Sequence, residues 1–126
     1  DRHLGAALAR LLADLGMAEA EPWRSQSRVC FATLFSLAAA RWRIPLREAA
    51  TGYAWTWTEN QVTAATRLIP LGQTASQRLL VAAGPIITMT VDAGLALPDD
   101  EIGAAAPGLA LAGALHETQY SRLFRS

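Results

Sequence analysis

The stretch LREAATGYAWTWTENQVTAATRLI, residues 46–69, decides the fold because it predicts one long helix with apolar side chains on two faces. At 100° per residue, one face collects Leu46, Tyr53, Trp57, Ala64 and Leu68, and the opposite face collects Trp55, Val62 and Ile69. A helix that is apolar on two sides is typical of the middle of a bundle. We therefore expect the aromatic residues to pack in the core, namely Tyr53, Trp55 and Trp57.

A narrow polar strip runs between these two faces. Glu59, Thr63 and Arg67 follow one another at intervals of four residues, and Asn60 lies beside them. Such a strip is usually the solvated edge of its helix. The alternative is contact with a partner, and on that reading Glu59 and Arg67 are candidate partner-binding residues.

The residues before this helix predict two further helices. The first follows a leucine spacing of i, i+4 and i+7 and ends at Gly16. The second is expected to be capped by Ser25 or Ser27 and to run to about Arg41, and Pro45 then restarts the chain.

The residues after it predict two more. Breaks at Pro70 and Gly72 precede a helical region from Gln73 to about Leu97, and an acidic loop at residues 98–101 follows. The last helix occupies residues 104–115 and is apolar nearly all round, so we expect it to be buried. The fold prediction is therefore an all-α, single bundle-like domain of about five helices over residues 1–115, with a tail at residues 116–126.

The composition narrows the function classes. All eleven basic residues are arginines and they balance eleven acidic residues, so no net charge favours nucleic acid or an anionic membrane. The most apolar run, residues 79–91, is shorter than the ~20 residues that a spanning helix needs. A single cysteine, Cys30, excludes an internal disulfide, and we expect a buried thiol in a cytoplasmic protein. The chain lacks the GxxxxGK[ST], HExxH and GxSxG motifs, so we expect no enzymatic activity.

The chain ends in a distinctive peptide, HETQYSRLFRS, residues 116–126. Wound as a helix, it places His116, Tyr120, Leu123 and Phe124 on one face, and two arginines on the other. This peptide either folds back on its own domain or docks on another subunit through aromatic and arginine side chains, which dominate interfaces.

Two stretches in the same order resemble the UreF family of urease accessory proteins. The peptide at residues 116–126 resembles the family's C-terminus, and residues 41–80 resemble its central segment, with a Glu-Asn-Gln turn followed by Pro-Leu-Gly-Gln. Leu115 and Thr58 depart from the usual pattern. The resemblance covers almost the whole chain and identifies it with the C-terminal half of such a protein.

The resemblance implies a helical scaffold that assists nickel insertion into urease. The implied partners are an accessory subunit of the UreD or UreH type, the GTPase UreG and urease apoprotein, and the intact protein is expected to form a homodimer. Nickel and GTP are then held by the partners, and no cofactor is bound directly. The resemblance also favours docking of the tail in trans, with Arg122 as the leading candidate among Glu117, Tyr120, Arg122, Leu123, Phe124 and Arg125.

Two alternatives remain at this point. In a nickel-binding domain His116 and Glu117 would be ligands, but neighbouring helical positions point about 100° apart and lack the i, i+4 spacing of a helical metal pair. No metal site is therefore predicted. A purely structural helical module, with its tail packed in cis, is the other alternative.

Overall fold

The computed structural model describes residues 2–26, 28–69, 71–103 and 107–117. Within these ranges every regular element is helical, which confirms the all-α prediction. The five α-helices are α1 (Arg2–Asp14), α2 (Phe31–Arg41), α3 (Leu46–Leu68), α4 (Gln73–Leu95) and α5 (Pro107–Glu117). Two short 3₁₀ helices lie at Ala18–Trp23 and Asp99–Glu101.

The chain divides into two compact units, Asp1–Ala96 and Leu97–Ser126. The first unit contains α1 to α4, and the second contains α5. The boundary that the sequence predicts, between residues 115 and 116, stays a prediction. In the second unit Leu111 and Leu115 are 63% and 59% exposed, so the expectation of a buried helix before the tail is wrong for these side chains.

A small core joins α1, the first 3₁₀ helix and α2. Leu12 and Leu34 are its largest fully buried side chains, and small residues such as Ala9 and Ala38 let the helices approach closely. The start of α1 lies against the segment that precedes α2, because a Cβ added at Gly5 would overlap the carbonyl oxygen of Val29. The core is therefore built from close backbone contact more than from bulky side chains.

The helix α2 begins at Phe31, several residues later than the predicted cap at Ser25 or Ser27. Ser27 lies outside the described residues. Val29 is 2% exposed and anchors this segment in the core, and Cys30 precedes the helix with extended backbone angles. Because Val29 is buried in the core, the residues before Phe31 form a connector and not the first turn of α2, and a local capping signal does not predict this.

The helices α3 and α4 form an antiparallel pair of equal length, 23 residues each. Arg47, near the start of α3, pairs with Asp92, near the end of α4, through Nε–Oδ1 and Nη2–Oδ2 contacts of 2.8 Å. The inner face of α4 is buried, and it carries Ser76, Leu80, Ile87 and Val91.

No described residue of α3 is buried, so the prediction that this helix lies in the middle of a bundle is wrong for this chain. Trp55 is 40% exposed and Trp57 is 58% exposed, which contradicts their predicted place in the core. The physical reason is that, among the described residues of the first unit, the helices that pack on α3 are α2 and α4, which cover only part of its circumference.

The helix α4 has 23 residues and is long and apolar enough to cross a membrane by length and composition alone, so the expectation that the apolar run is too short for a spanning helix is wrong. Core helices of soluble proteins pass the same test but are mostly buried, whereas 17% of the apolar window of α4 is buried. The prediction that the chain does not enter a membrane stays a prediction.

Candidate interaction surfaces

The polar strip predicted on α3 lies at the surface. Glu59, Asn60, Thr63 and Arg67 are all exposed, as the four-residue spacing predicts. Glu59 and Arg67 are separated by about 12 Å along the helix axis, at 1.5 Å per residue, so a contacting surface meets two separate charges. Arg67 also lies in the last turn of α3, where a cation interacts favourably with the helix dipole.

An aromatic cluster holds the middle of α3 against α2. The ring of Tyr53 lies 6.0 Å from that of Phe31 and 5.5 Å from that of Phe35, the latter edge to face. These distances are typical of stabilising aromatic pairs. Tyr53 is partly buried, whereas Trp55 and Trp57 are exposed, so of the three predicted core aromatics Tyr53 lies closest to the predicted position.

A cavity of about 210 Å³ adjoins the polar strip. Its lining includes Trp57 and Asn60 from α3, Leu4 from α1 and Phe31 from α2. An exposed tryptophan is therefore close to the exposed amide of the strip. Large aromatic side chains beside polar groups are the composition that protein interfaces favour.

A second cavity, of about 460 Å³, lies near the start of α3. It is lined by Arg47, Glu48, Thr51, Gly52 and Trp55. The contact between Arg47 and Asp92 fixes one wall of this cavity. Sequence reasoning missed this contact because Arg47 and Asp92 are 45 positions apart and neither belongs to a recognisable motif.

The prediction of a buried thiol at Cys30 is wrong, because the side chain is only partly buried. Its Sγ lies 3.0 Å from Thr33 Oγ1, and this hydrogen bond lowers the pKa of the Cys30 thiol below its ordinary value. Among the described residues, no three His, Cys, Asp or Glu side chains are grouped as they would be around a metal ion. The expectation that the chain binds no cofactor directly stays a prediction.

The tail candidates stay predictions as well. Tyr120, Arg122, Leu123, Phe124 and Arg125 lie outside the described residues. Glu117 is the last residue of α5. The structure does not describe the side chains of His116 and Glu117.

Comparisons with known proteins agree with the resemblance. The family model described as UreF matches residues 1–84. The chain is 57% identical, over 126 residues, to a urease accessory protein UreF from Alkalilimnicola ehrlichii, covering 100% of this chain and 55% of that protein. It is 49% identical to a protein of the same name from Hahella chejuensis, covering 100% of this chain and 56% of that protein.

A third relative, named urease accessory protein UreF 2, comes from Brucella anthropi and is 48% identical, with 100% and 56% of the two chains covered. No solved structure was found to match the chain. The chain thus spans about half the length of the curated relatives it matches. The family model covers more than half of the chain, and the chain therefore belongs to the UreF family of urease accessory proteins.

Proposed function

We propose that this chain acts without chemistry of its own, as part of a cytoplasmic scaffold that assembles the complex for nickel insertion into urease. Its proposed partners are a UreD- or UreH-type accessory protein, a UreG-type GTPase and urease apoprotein. The nickel ion is the cargo of this complex and GTP is the substrate of the GTPase, so neither is assigned to this chain.

The observation that carries the proposal is the exposed polar strip on α3 together with the exposed Trp57. If the strip were only solvated surface, polar side chains alone would be expected there. A tryptophan that is 58% exposed leaves a large apolar surface in water, and such a surface next to charged groups favours contact with another protein. The names of the relatives supply the pathway, since each is called a urease accessory protein.

The paired helices α3 and α4 suit a scaffold because they present this surface on a rigid element. The Arg47–Asp92 contact and the buried face of α4 fix the two helices, and the aromatic cluster around Tyr53 fixes α3 on α2. A preformed surface loses little conformational entropy on binding. Charges at the rim, such as Glu59 and Arg67, then select the partner and its orientation.

The tail is proposed to act in trans as a second contact. Arg122 is the leading anchor, because an arginine can make paired hydrogen bonds to a carboxylate. The intact protein is further proposed to be a homodimer, so that one assembly offers two copies of each surface.

A charge reversal tests the strip. Glu59→Arg combined with Arg67→Glu keeps the net charge and exchanges the signs of two exposed side chains. Because Arg67→Glu places a negative charge in the last turn of α3, circular dichroism checks that helicity is retained. We expect pull-down of the accessory protein and the GTPase to weaken roughly tenfold, as for the loss of one or two rim contacts. The matched control is Asp14→Arg combined with Arg24→Asp, which exchanges the two signs of an exposed ion pair outside α3 and also keeps the net charge.

If pull-down and urease activation in cells were both unchanged, the strip would be ordinary solvated surface and not a partner contact. An Arg122→Ala variant tests the tail separately, with weaker assembly expected at unchanged helicity. Tight stoichiometric nickel binding in equilibrium dialysis, lost on replacing His116, would favour the nickel-binding domain instead.

A further inference from the structure

An apolar groove runs between α1 and α2, on surface that the proposed function does not use. Its volume is about 270 Å³. The two helices run in the same direction, since Gly5 lies beside Val29 and Leu15 shares a cavity with Trp42. Every residue along the groove is apolar: Leu8, Leu11, Leu12, Leu15, Phe31, Phe35, Ala38, Ala39, Trp42 and Ile44.

Four leucines on and just after α1 follow a coiled-coil spacing. Leu4, Leu8, Leu11 and Leu15 are separated by four, three and four residues, which is the a/d repeat that packs one helix on another. Leu11 is 54% exposed and Leu15 is 66% exposed. The core of the unit takes the neighbouring face of α1, with Ala9 and Leu12, and Leu8 packs partly against it. Leu4, Leu11 and Leu15 are left exposed.

The far end of the groove is fixed by the turn after α2. The N–H of Ile44 donates to the carbonyl of Ala39 at 2.9 Å, and the N–H of Arg43 donates to that of Ala40 at 3.1 Å. These two bonds form a Schellman motif, in which the left-handed residue is usually glycine. Here it is Arg43, with φ 55°, so an arginine takes a strained position next to the exposed Trp42 and Ile44.

The length of the relatives suggests an occupant for the groove. The chain accounts for 55% of the Alkalilimnicola ehrlichii relative and 56% of the Hahella chejuensis relative, so a little under half of each relative lies outside it. A row of exposed leucines costs free energy in water, and a helix from the same polypeptide is present at high effective concentration.

We propose that an amphipathic helix from the remaining length of a UreF chain fills this groove. Its apolar face carries leucine-like side chains at a/d spacing, which interlock with Leu8, Leu11 and Leu15. It also carries an acidic side chain near the end of the groove, where Arg43 is exposed. The proposal rests on the groove and on the relatives' lengths, and it does not require the scaffold function.

A chimaeric full-length protein tests the proposal. This chain replaces the corresponding part of the Alkalilimnicola ehrlichii relative, and Leu11→Asp and Leu15→Asp are introduced both into the chimaera and into the 126-residue chain. Each substitution should lower the Tm of the chimaera by roughly 10 °C, because a leucine buried by the added helix becomes a charge. The same changes should shift the Tm of the shorter chain by roughly 2 °C or less, since these positions are then exposed.

The matched control is Arg10→Asp, which lies on α1 but away from the groove, and it should affect both proteins equally little. Trp42 gives a second readout: with Trp23, Trp55 and Trp57 replaced by phenylalanine, iodide quenching of Trp42 should be severalfold weaker in the chimaera. Equal Tm shifts in both proteins, or unchanged quenching, would overturn the proposal. So would a dimer of the 126-residue chain that Leu15→Asp dissociates, because the occupant would then be a second copy.

Discussion

Gly5→Ala is the substitution for which the structure gives the clearest expectation. In an ordinary helix interior, alanine is more stable than glycine by about 0.8–1.0 kcal/mol. At Gly5 the added Cβ would overlap the carbonyl oxygen of Val29 and would lie 2.8 Å from the carbonyl carbon of Cys30. Both are backbone atoms, so no side-chain rotation can relieve the contact.

The magnitude follows from these two opposing effects. Overpacking a close contact costs about 1–3 kcal/mol, and here the whole of α1 must move away from the segment before α2. The buried cluster around Leu12 and Leu34 lies between the same elements, so the movement also loosens the core. Because the contacts are with backbone atoms, the cost lies at the upper end of that range, about 3 kcal/mol. After subtracting the gain in helix propensity, we expect Gly5→Ala to lower the free energy of unfolding by about 2 kcal/mol.

Urea denaturation followed by far-UV circular dichroism measures this change. The matched control is Gly52→Ala in α3, where the added Cβ meets Phe35 Cζ at an ordinary 3.8 Å. That variant should raise the free energy of unfolding by about 0.5–1 kcal/mol. The two glycine-to-alanine changes therefore differ in sign, at unchanged m-values. A Gly5→Ala variant as stable as the parent, or more stable, would refute the close approach of α1 to Val29.

Three further predictions concern the first unit. Leu34→Ala should lower the free energy of unfolding by about 2–5 kcal/mol in the same assay, because Leu34 is 0% exposed; a loss below about 1 kcal/mol would contradict its place in the core. Asp92→Ala should cost only about 0.5–1 kcal/mol, since its pair with Arg47 is half-exposed, and the cost should shrink in high salt. A salt-independent cost would argue against a screened ion pair. Thr33→Val should slow iodoacetamide alkylation of Cys30 at a pH below the ordinary thiol value of 9.0. Losing the hydrogen bond raises the pKa of the Cys30 thiol and reduces the fraction present as thiolate. An unchanged rate would exclude that hydrogen bond as the cause of the lowered pKa.

The helices were predictable from local signals. The long apolar stretch at residues 46–69 became α3, ending one residue earlier, at Leu68. Gly16, with φ 82°, follows α1 as expected for a residue that must adopt a left-handed conformation. Such features depend on residues a few positions apart in the chain, so they can be predicted from the sequence alone.

Burial was less predictable because it depends on what packs against each face. Trp55 and Trp57 have the spacing of core residues, yet the packing of α2 and α4 on α3 leaves both exposed. Leu11 and Leu15 are likewise exposed.

The surfaces were predictable in part. The exposure of Glu59 and Arg67 follows from helical periodicity, which places them on one polar face. The Arg47–Asp92 pair and the contact of Cys30 with Thr33 do not follow from any pattern, because one depends on the pairing of two helices and the other on the late start of α2.

The size of the complex formed with a UreD- or UreH-type accessory protein, with and without residues 116–126, tests the scaffold role most directly. Light scattering after size exclusion gives the mass of the assembly. We predict a stable complex with the full chain and its loss on removing the last eleven residues, with the far-UV spectrum of α1 to α4 unchanged. A complex of the same mass and affinity without the tail would contradict docking in trans, and the absence of any complex with either chain would contradict the scaffold role itself.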